Sequence, residues 1–386
     1  MVRKTLFWIH LVAGLVCALP LLVVALTGVL LSVEPQVIDA VERDMRRVEV
    51  LPSADPVALD SLVFAARRVQ AGKVTGVTVA SGATQAAVVR FGKDGAVWVN
   101  PRTAEVQGTN TSLHAAFAWL ERIHRWLGSR EIGGKVTGVS VLLCLLLSIT
   151  GMFLWWPRNL KALSQVVFPR RGLKGRARDW QWHNALGVLA LPFLLVLSST
   201  GAVMAWPWAE SAMFRAMGSE PPKRAEPTSK AQGAKNGGVR QGAGEGGEGV
   251  DRKLSEEGRL PRFPMQEMLD TAMLRAPAGW STATLRFSER PGAGSTVLFL
   301  LPDQTARLGT SVVLRPDGSF AEVKHPRADL AFRLRAILRP VHTGEQFGVL
   351  GQVLMAMAGL ATMVLVWTGT AMSWRRFFAR KRVEPT

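Results

Sequence analysis

The sequence predicts an α-helical membrane protein: a four-span transmembrane bundle made of two parallel repeats, with a small α+β module in each repeat lying outside the membrane. Three observations predict it. Four apolar runs, at 6–33, 134–156, 183–206 and 344–374, are each long enough to cross a hydrocarbon layer about 30 Å thick as a helix. All four carry a Thr-Gly dipeptide near one end: Thr27-Gly28, Thr150-Gly151, Thr200-Gly201 and Thr368-Gly369. Each dipeptide follows a histidine at one of two spacings, 17 residues from His10 and His183 and 26 from His124 and His342.

The first run, within 1–33, is too long for a cleaved leader and lacks a small-residue cleavage pattern, so it is expected to stay as the first span. The formal charge is +18, but much of the excess flanks the spans. Arg3 and Lys4 precede the first, seven Lys/Arg lie between Arg158 and Arg178, and Arg375, Arg376, Arg380, Lys381 and Arg382 follow the fourth. The positive-inside bias makes these segments and both termini cytoplasmic and puts the two long loops outside. The charge is therefore a topology signal; membrane lipid is the expected partner and nucleic acid is not. Of 13 Trp (there is no Tyr), Trp155, Trp156, Trp206, Trp208 and Trp374 cluster at span ends, as interfacial anchors do. Cys17 and Cys144 lie inside spans without CxxC or CxxCH spacing, which argues against disulfides, thiolate metal sites and covalently attached haem.

Taken in order, 34–112 reads as the first module. It has helical spacing over 57–69, alternating runs at 74–79, 86–91 and 96–99, and a hairpin signal at Asp94-Gly95. Residues 113–157 hold an interfacial helix (113–127) and the second span, 158–179 a cytoplasmic loop, and 180–208 the third span, opened by Trp182-His183. A short connector, 209–218, leads to 219–258, which is rich in Gly, Pro, Lys and Glu and is expected to be disordered. The second module, 259–329, has a helical pattern at 265–274, strands at 281–287, 296–301 and 310–314, and a turn at Pro316-Asp317-Gly318. An interfacial helix from 330 and the fourth span fill 330–376, and 377–386 is a cytoplasmic tail. Pro20 and Pro192 are expected to kink their helices.

The first histidines of the two repeats are offset by 173 residues and the second by 218, so the second copy holds 45 more residues, most of them in the insert. Two spans per unit give both copies one orientation, about an axis along the membrane normal. At 1.5 Å per residue, 17 residues cover about 25 Å and 26 about 39 Å. His10 and His183 then meet near the cytoplasmic face, and His124 and His342 at the outer one. Two imidazoles with no Cys or carboxylate at their level are too few ligands for zinc or di-iron. They suit the axial positions of a haem held in an apolar bundle. Gly14 and Gly187, four residues after their histidines, leave room for a flat macrocycle. Close helix packing accounts for them equally well, and for the GxxxG patterns Gly134/Gly138 and Gly344/Gly348. Arg122, Arg125 and Arg339 outside, and Lys4 or Arg178 inside, are candidate partners for haem propionates. His114 and His325 have no repeat counterpart and read as surface or loop residues. With no GxSxG, HExxH or P-loop, no catalytic acid, base or nucleophile is expected.

His10 in the first span, His124-Arg125 before the second, Trp182-His183 opening the third, His342 before Gly344, and Trp-Trp-Pro or Ser-Trp-Arg after Thr-Gly together resemble the PepSY-associated transmembrane family. Within it they are similar to the iron-regulated branch that includes siderophore-iron reductases. The resemblance implies PepSY domains as the outer modules and two non-covalent, bis-histidine haem b groups. It implies a membrane oxidoreductase of the bacterial inner (cytoplasmic) membrane, carrying electrons outward to reduce ferric siderophore (Fe3+ to Fe2+) in the periplasm. Some relatives carry a fused cytoplasmic flavin reductase; this sequence ends shortly after the fourth span, so the donor is expected to be a separate cytoplasmic protein, a quinol or another diffusible reductant. The alternative is a membrane-anchored PepSY binding or regulatory protein acting on a periplasmic protease, without redox activity. A haem or siderophore transporter is disfavoured, because neither repeat shows two helices broken at mid-membrane.

Overall fold

The computed structural model describes residues 1–49, 55–156, 172–222, 264–288, 293–302, 304, 308–327 and 329–378. In chain order the elements are α1 (Val2–Ser32), α2 (Glu34–Arg46), α3 (Leu59–Arg67), β1 (Gly76–Ala80), β2 (Ala87–Arg90), β3 (Ala96–Val99), β4 (Val106–Thr109), α4 (Ser112–Trp126) and α5 (Ile132–Trp155). After them come α6 (Gly175–Ala205), α7 (Pro207–Ala216), α8 (Met265–Met273), β5 (Thr282–Arg286), β6 (Thr296–Leu300), β7 (Thr310–Leu314), β8 (Phe320–Lys324), α9 (Leu330–Thr343) and α10 (Gly348–Phe378). They divide into two compact units, one of residues 1–39, 112–219 and 330–386, the other of 40–111 and 220–329.

The first unit holds the long apolar helices. Among the described residues, four helices are long and apolar enough to cross a membrane, and the chain is a multi-pass membrane protein. α1 and α6 run on through Pro20 and Pro192. Small and polar side chains face inward, such as Ala13, Cys17 and Thr27 on α1 and Ala358, Ala361 and Thr362 on α10. Large apolar ones such as Val16, Leu19, Leu360 and Trp367 are exposed. This reverses the pattern of a soluble bundle and suits helices that pack closely while lipid bathes their outer faces. α1 packs on α5 and α10, and α6 packs on the same two, so α1 and α6 lie diagonally across the bundle. α4 lies against α1 and α5, and α9 against α6 and α10.

Several boundaries differ from the sequence reading. α6 begins at Gly175, inside the expected loop 158–179, and the expected connector 209–218 is largely helical as α7. α7 is docked on α9 by the Arg335–Glu210 ion pair and by Phe214 edge-on to Phe332. Gly344 and Gly348 do not form a helix face: their φ of +83° and +64° are left-handed, and they form the break between α9 and α10 that glycine permits. The disorder expected for 219–258 falls, from residue 223 on, outside the described residues, as does the loop up to 171.

The second unit is one eight-stranded antiparallel sheet, ordered β4-β3-β2-β1-β5-β6-β7-β8. The sequence predicts a small α+β module in each repeat; the strands assigned to the two join in one sheet, because β1 and β5 pair along their full length. α3 and α8 are each nine residues long, β1 and β5 each five, and in both cases the second follows the first by 206 positions (59 to 265, 76 to 282). Thr78 pairs with Thr284, the residue at that same offset, their hydroxyls 3.0 Å apart. The helices cap one another: Asp60 accepts from the backbone N–H of Met265 and Gln266, and Gln266 accepts from that of Leu59. These bonds satisfy donors that a helix start leaves open. One core joins Leu62, Val63, Met265 and Met268 to the sheet residues Val77, Val89, Leu285, Val297 and Phe299. Phe299 is fully buried, with its ring edge-on to Trp280. Phe299→Ala is expected to cost about 3–5 kcal/mol, and Phe64→Ala, at an exposed site, less than about 0.5 kcal/mol; denaturant titration of the purified chain in detergent measures both.

Candidate functional site

Four histidines come together as two pairs in the first unit. His10 on α1 faces His183 on the diagonal helix α6, ring centroids 6.3 Å apart and planes at 82°. His124 on α4 faces His342 on α9 at 6.5 Å and 67°. All four rings are half-buried. Burial pushes the His124 and His342 imidazoles below their ordinary pKa, His342 to about 4, so both are neutral at neutral pH.

Each ring is seated on a Thr-Gly dipeptide of the other long helix in its half of the chain. His10 Nδ1 is 2.9 Å from Thr150 Oγ1 and His124 Nδ1 is 3.1 Å from Thr27 Oγ1. His183 Nδ1 is 3.0 Å from Thr368 Oγ1, and His342 Nδ1 is 2.8 Å from Thr200 Oγ1. The adjacent glycine makes way for the ring. A Cβ built on Gly28 would sit 3.1 Å from His124 Cε1, on Gly151 3.3 Å from His10 Cε1, on Gly369 3.3 Å from His183 Cε1, and on Gly201 3.6 Å from His342 Cε1. The sequence reading used Thr-Gly only to mark span ends, and counted each dipeptide from the histidine on its own span. The contact runs to the neighbouring antiparallel helix, whose start lies level with that end.

Gly14 and Gly187 are less crowded: a Cβ there would meet only Leu147 at 3.7 Å and Leu365 at 3.8 Å. Gly138, by contrast, is packed under the Trp206 ring, whose Nε1 donates to the Gly138 carbonyl at 3.0 Å, and Gly134 lies against Trp126. Arg125 is paired with Glu121 and stacked on Trp126, while Arg339 lies within electrostatic reach of Glu34. His114 is half-buried on α4 near Glu34 rather than in a loop, and His325 is exposed just after β8.

Four arginines at the His10–His183 end of the bundle are engaged by protein partners. Arg3 donates to the Trp156 carbonyl, Arg376 lies over the rings of Phe7 and Trp8, and Arg375 pairs with Asp179. Asp179 is buried and also bonded to Arg178 at 3.0 Å, which commits the Arg178 charge to a protein partner. Sequence reasoning missed Asp179. Its signal was available: it is the sole acidic residue between Arg158 and Ala209.

Among the described residues no group of three or more His, Cys, Asp or Glu side chains is placed to hold a metal. What the site offers is two imidazoles at a time, on diagonal elements, in an apolar bundle. No curated protein matches the chain significantly. Residues 7–376, nearly its whole length, match the PepSY-associated TM region, and the protein belongs to that family.

Proposed function

We propose that the protein is a di-haem b electron-transfer protein of the bacterial inner membrane that reduces ferric siderophores in the periplasm and so releases their iron. His10 and His183 hold one haem and His124 and His342 the other. The observation that supports this best is the spacing of the pairs. An imidazole nitrogen binds a transition metal at about 2.0–2.1 Å and lies about 1.2 Å from its ring centre, so two rings sharing one metal have centroids about 6.4 Å apart. The pairs stand at 6.3 and 6.5 Å. With each Nδ1 already engaged, Nε2 is the nitrogen left for the metal, and the uncrowded backbone at Gly14 and Gly187 leaves space beside the His10–His183 pair for a flat ring.

Haem so bound supplies one-electron redox chemistry. The chain's own contribution is to fix the orientation of the imidazoles and surround them with apolar helices. Electrons enter from a cytoplasmic or quinol donor at the end bearing Arg3, Arg178, Arg375 and Arg376, which the positive-inside bias makes cytoplasmic together with both termini. They leave near His124 and His342. The bundle is read as two parallel copies of one span-PepSY-span unit, in keeping with the equal offsets of α3/α8 and β1/β5 and the self-pairing of Thr78 with Thr284. A ferric chelate is the acceptor by resemblance to the iron-regulated branch. One added electron turns hard Fe(III) into Fe(II), for which oxygen donors are poorer ligands.

The expected result is a b-type reduced-minus-oxidised spectrum, two haems per chain, and re-oxidation of the reduced protein by ferric siderophores but not by iron-free ones. A clean full-length preparation without haem, or a reduced protein indifferent to every ferric chelate, rejects the proposal.

A further inference from the structure

We infer that the four Thr-Gly dipeptides are positioning residues that lock every one of these histidines in its Nδ1–H tautomer, leaving Nε2 with a free lone pair. A threonine hydroxyl has one proton to give. Thr27, Thr150, Thr200 and Thr368 each lie 2.6–2.7 Å from the carbonyl oxygen four residues back, that of Val23, Leu146, Val196 and Val364. Those carbonyls only accept, so each hydroxyl proton is committed to the helix backbone. Toward the imidazole the hydroxyl oxygen is an acceptor, and the proton of that bond sits on Nδ1. A carbonyl supports the same assignment at one of the rings: the Val24 oxygen lies 3.0 Å from His124 Nδ1. A neutral imidazole holds one ring proton, so Nε2 has none.

A local hydroxyl-to-carbonyl bond is common in membrane helices and is by itself uninformative. Here it recurs at all four histidines. The Thr-Gly at Thr137-Gly138, also within α5, shows the contrast: its glycine meets Trp206, and its hydroxyl has no partner among the described residues. The division of labour is then residue by residue: threonine sets the tautomer and the ring's tilt, and glycine admits the ring edge to the distance at which that bond forms. That Nε2 goes on to bind haem iron rests on the reading above; the tautomer does not.

Thr150 is the cleanest test, because among the described residues it is the one hydrogen-bond partner of His10 Nδ1. In the full-length chain labelled with 15N-histidine, free of cofactor and in lipid, His10, His124, His183 and His342 are expected to show protonated Nδ1 and bare Nε2. Thr150→Val should release His10 from that tautomer and lower haem affinity at the His10–His183 pair about 10–100-fold, the usual cost of losing such a partner. In the loaded protein it should raise the midpoint potential of that centre alone, because a less basic imidazole stabilises oxidised iron less. Thr150→Ser should restore all three. Wild-type rings protonated at Nε2 overturn the inference, and that measurement decides even where the Val variant does not fold. So does a Thr150→Val chain equal to wild type in tautomer, affinity and potential. Nδ1–H rings in a protein that never binds haem leave the inference standing and sink the haem reading instead.

Discussion

Replacing either His10 or His183 with alanine is expected to remove one haem and spare the other, and replacing either His124 or His342 to do the converse. The two pairs sit at opposite ends of the bundle, and each takes one ring from each half of the chain. Losing one ring would leave one imidazole of the two that would hold that haem, and among the described residues no group of three or more His, Cys, Asp or Glu is placed to offer a substitute. Haem content should fall from two to one per chain in each single variant. His10→Ala/His183→Ala should fall no further than either single change, because the partners act as a unit and their effects do not add. Haem quantitation with potentiometric titration distinguishes the centres. If His10→Ala and His124→Ala lose the same one, the pairing is wrong.

The second large effect is expected at a residue that could never ligate. Gly28→Val should abolish the His124–His342 centre although both histidines remain. A Cβ there stands 3.1 Å from His124 Cε1, and the same ring is held by Thr27 and the Val24 carbonyl, so it cannot back away without losing those bonds. Overpacking of this kind costs about 1–3 kcal/mol, enough to turn the ring out of its seat. Gly82→Ala, in the second unit and away from both pairs, is the control: its Cβ meets only the Gln85 side chain at 4.0 Å, and the variant should fold and bind haem as the parent does. Haem content and thermal unfolding of the two variants, side by side, check the contrast; a Gly28→Val chain that keeps both haems would falsify the seat.

How much of this was legible beforehand differs by element. The spans were, because an apolar run long enough to cross a bilayer is a local property of the chain. So were six of the eight strands, whose Val, Ala and Leu residues alternate. β4 and β8, Val-Gln-Gly-Thr and Phe-Ala-Glu-Val-Lys, were not. They are the sheet edges, covered on one side only, and their sequences carry little of the burial signal. The start of α6 was missed for a related reason: Arg176, Arg178 and Asp179 read as loop, and only the contact between Asp179 and Arg375, 196 residues away, explains a buried carboxylate there.

By itself the sequence determined the four membrane helices and the two histidine spacings, since each is written in distances along one chain. Only the tertiary structure decided that the eight strands form one sheet, because β1 meets β5 across 206 positions with an edge that either strand alone leaves open. It also decided what Thr-Gly is for. A threonine within a membrane helix looks the same in sequence whether it faces lipid, backbone or an imidazole. Which of these it meets depends on the azimuth at which a neighbouring helix packs, and in this bundle that neighbour brings a histidine each time.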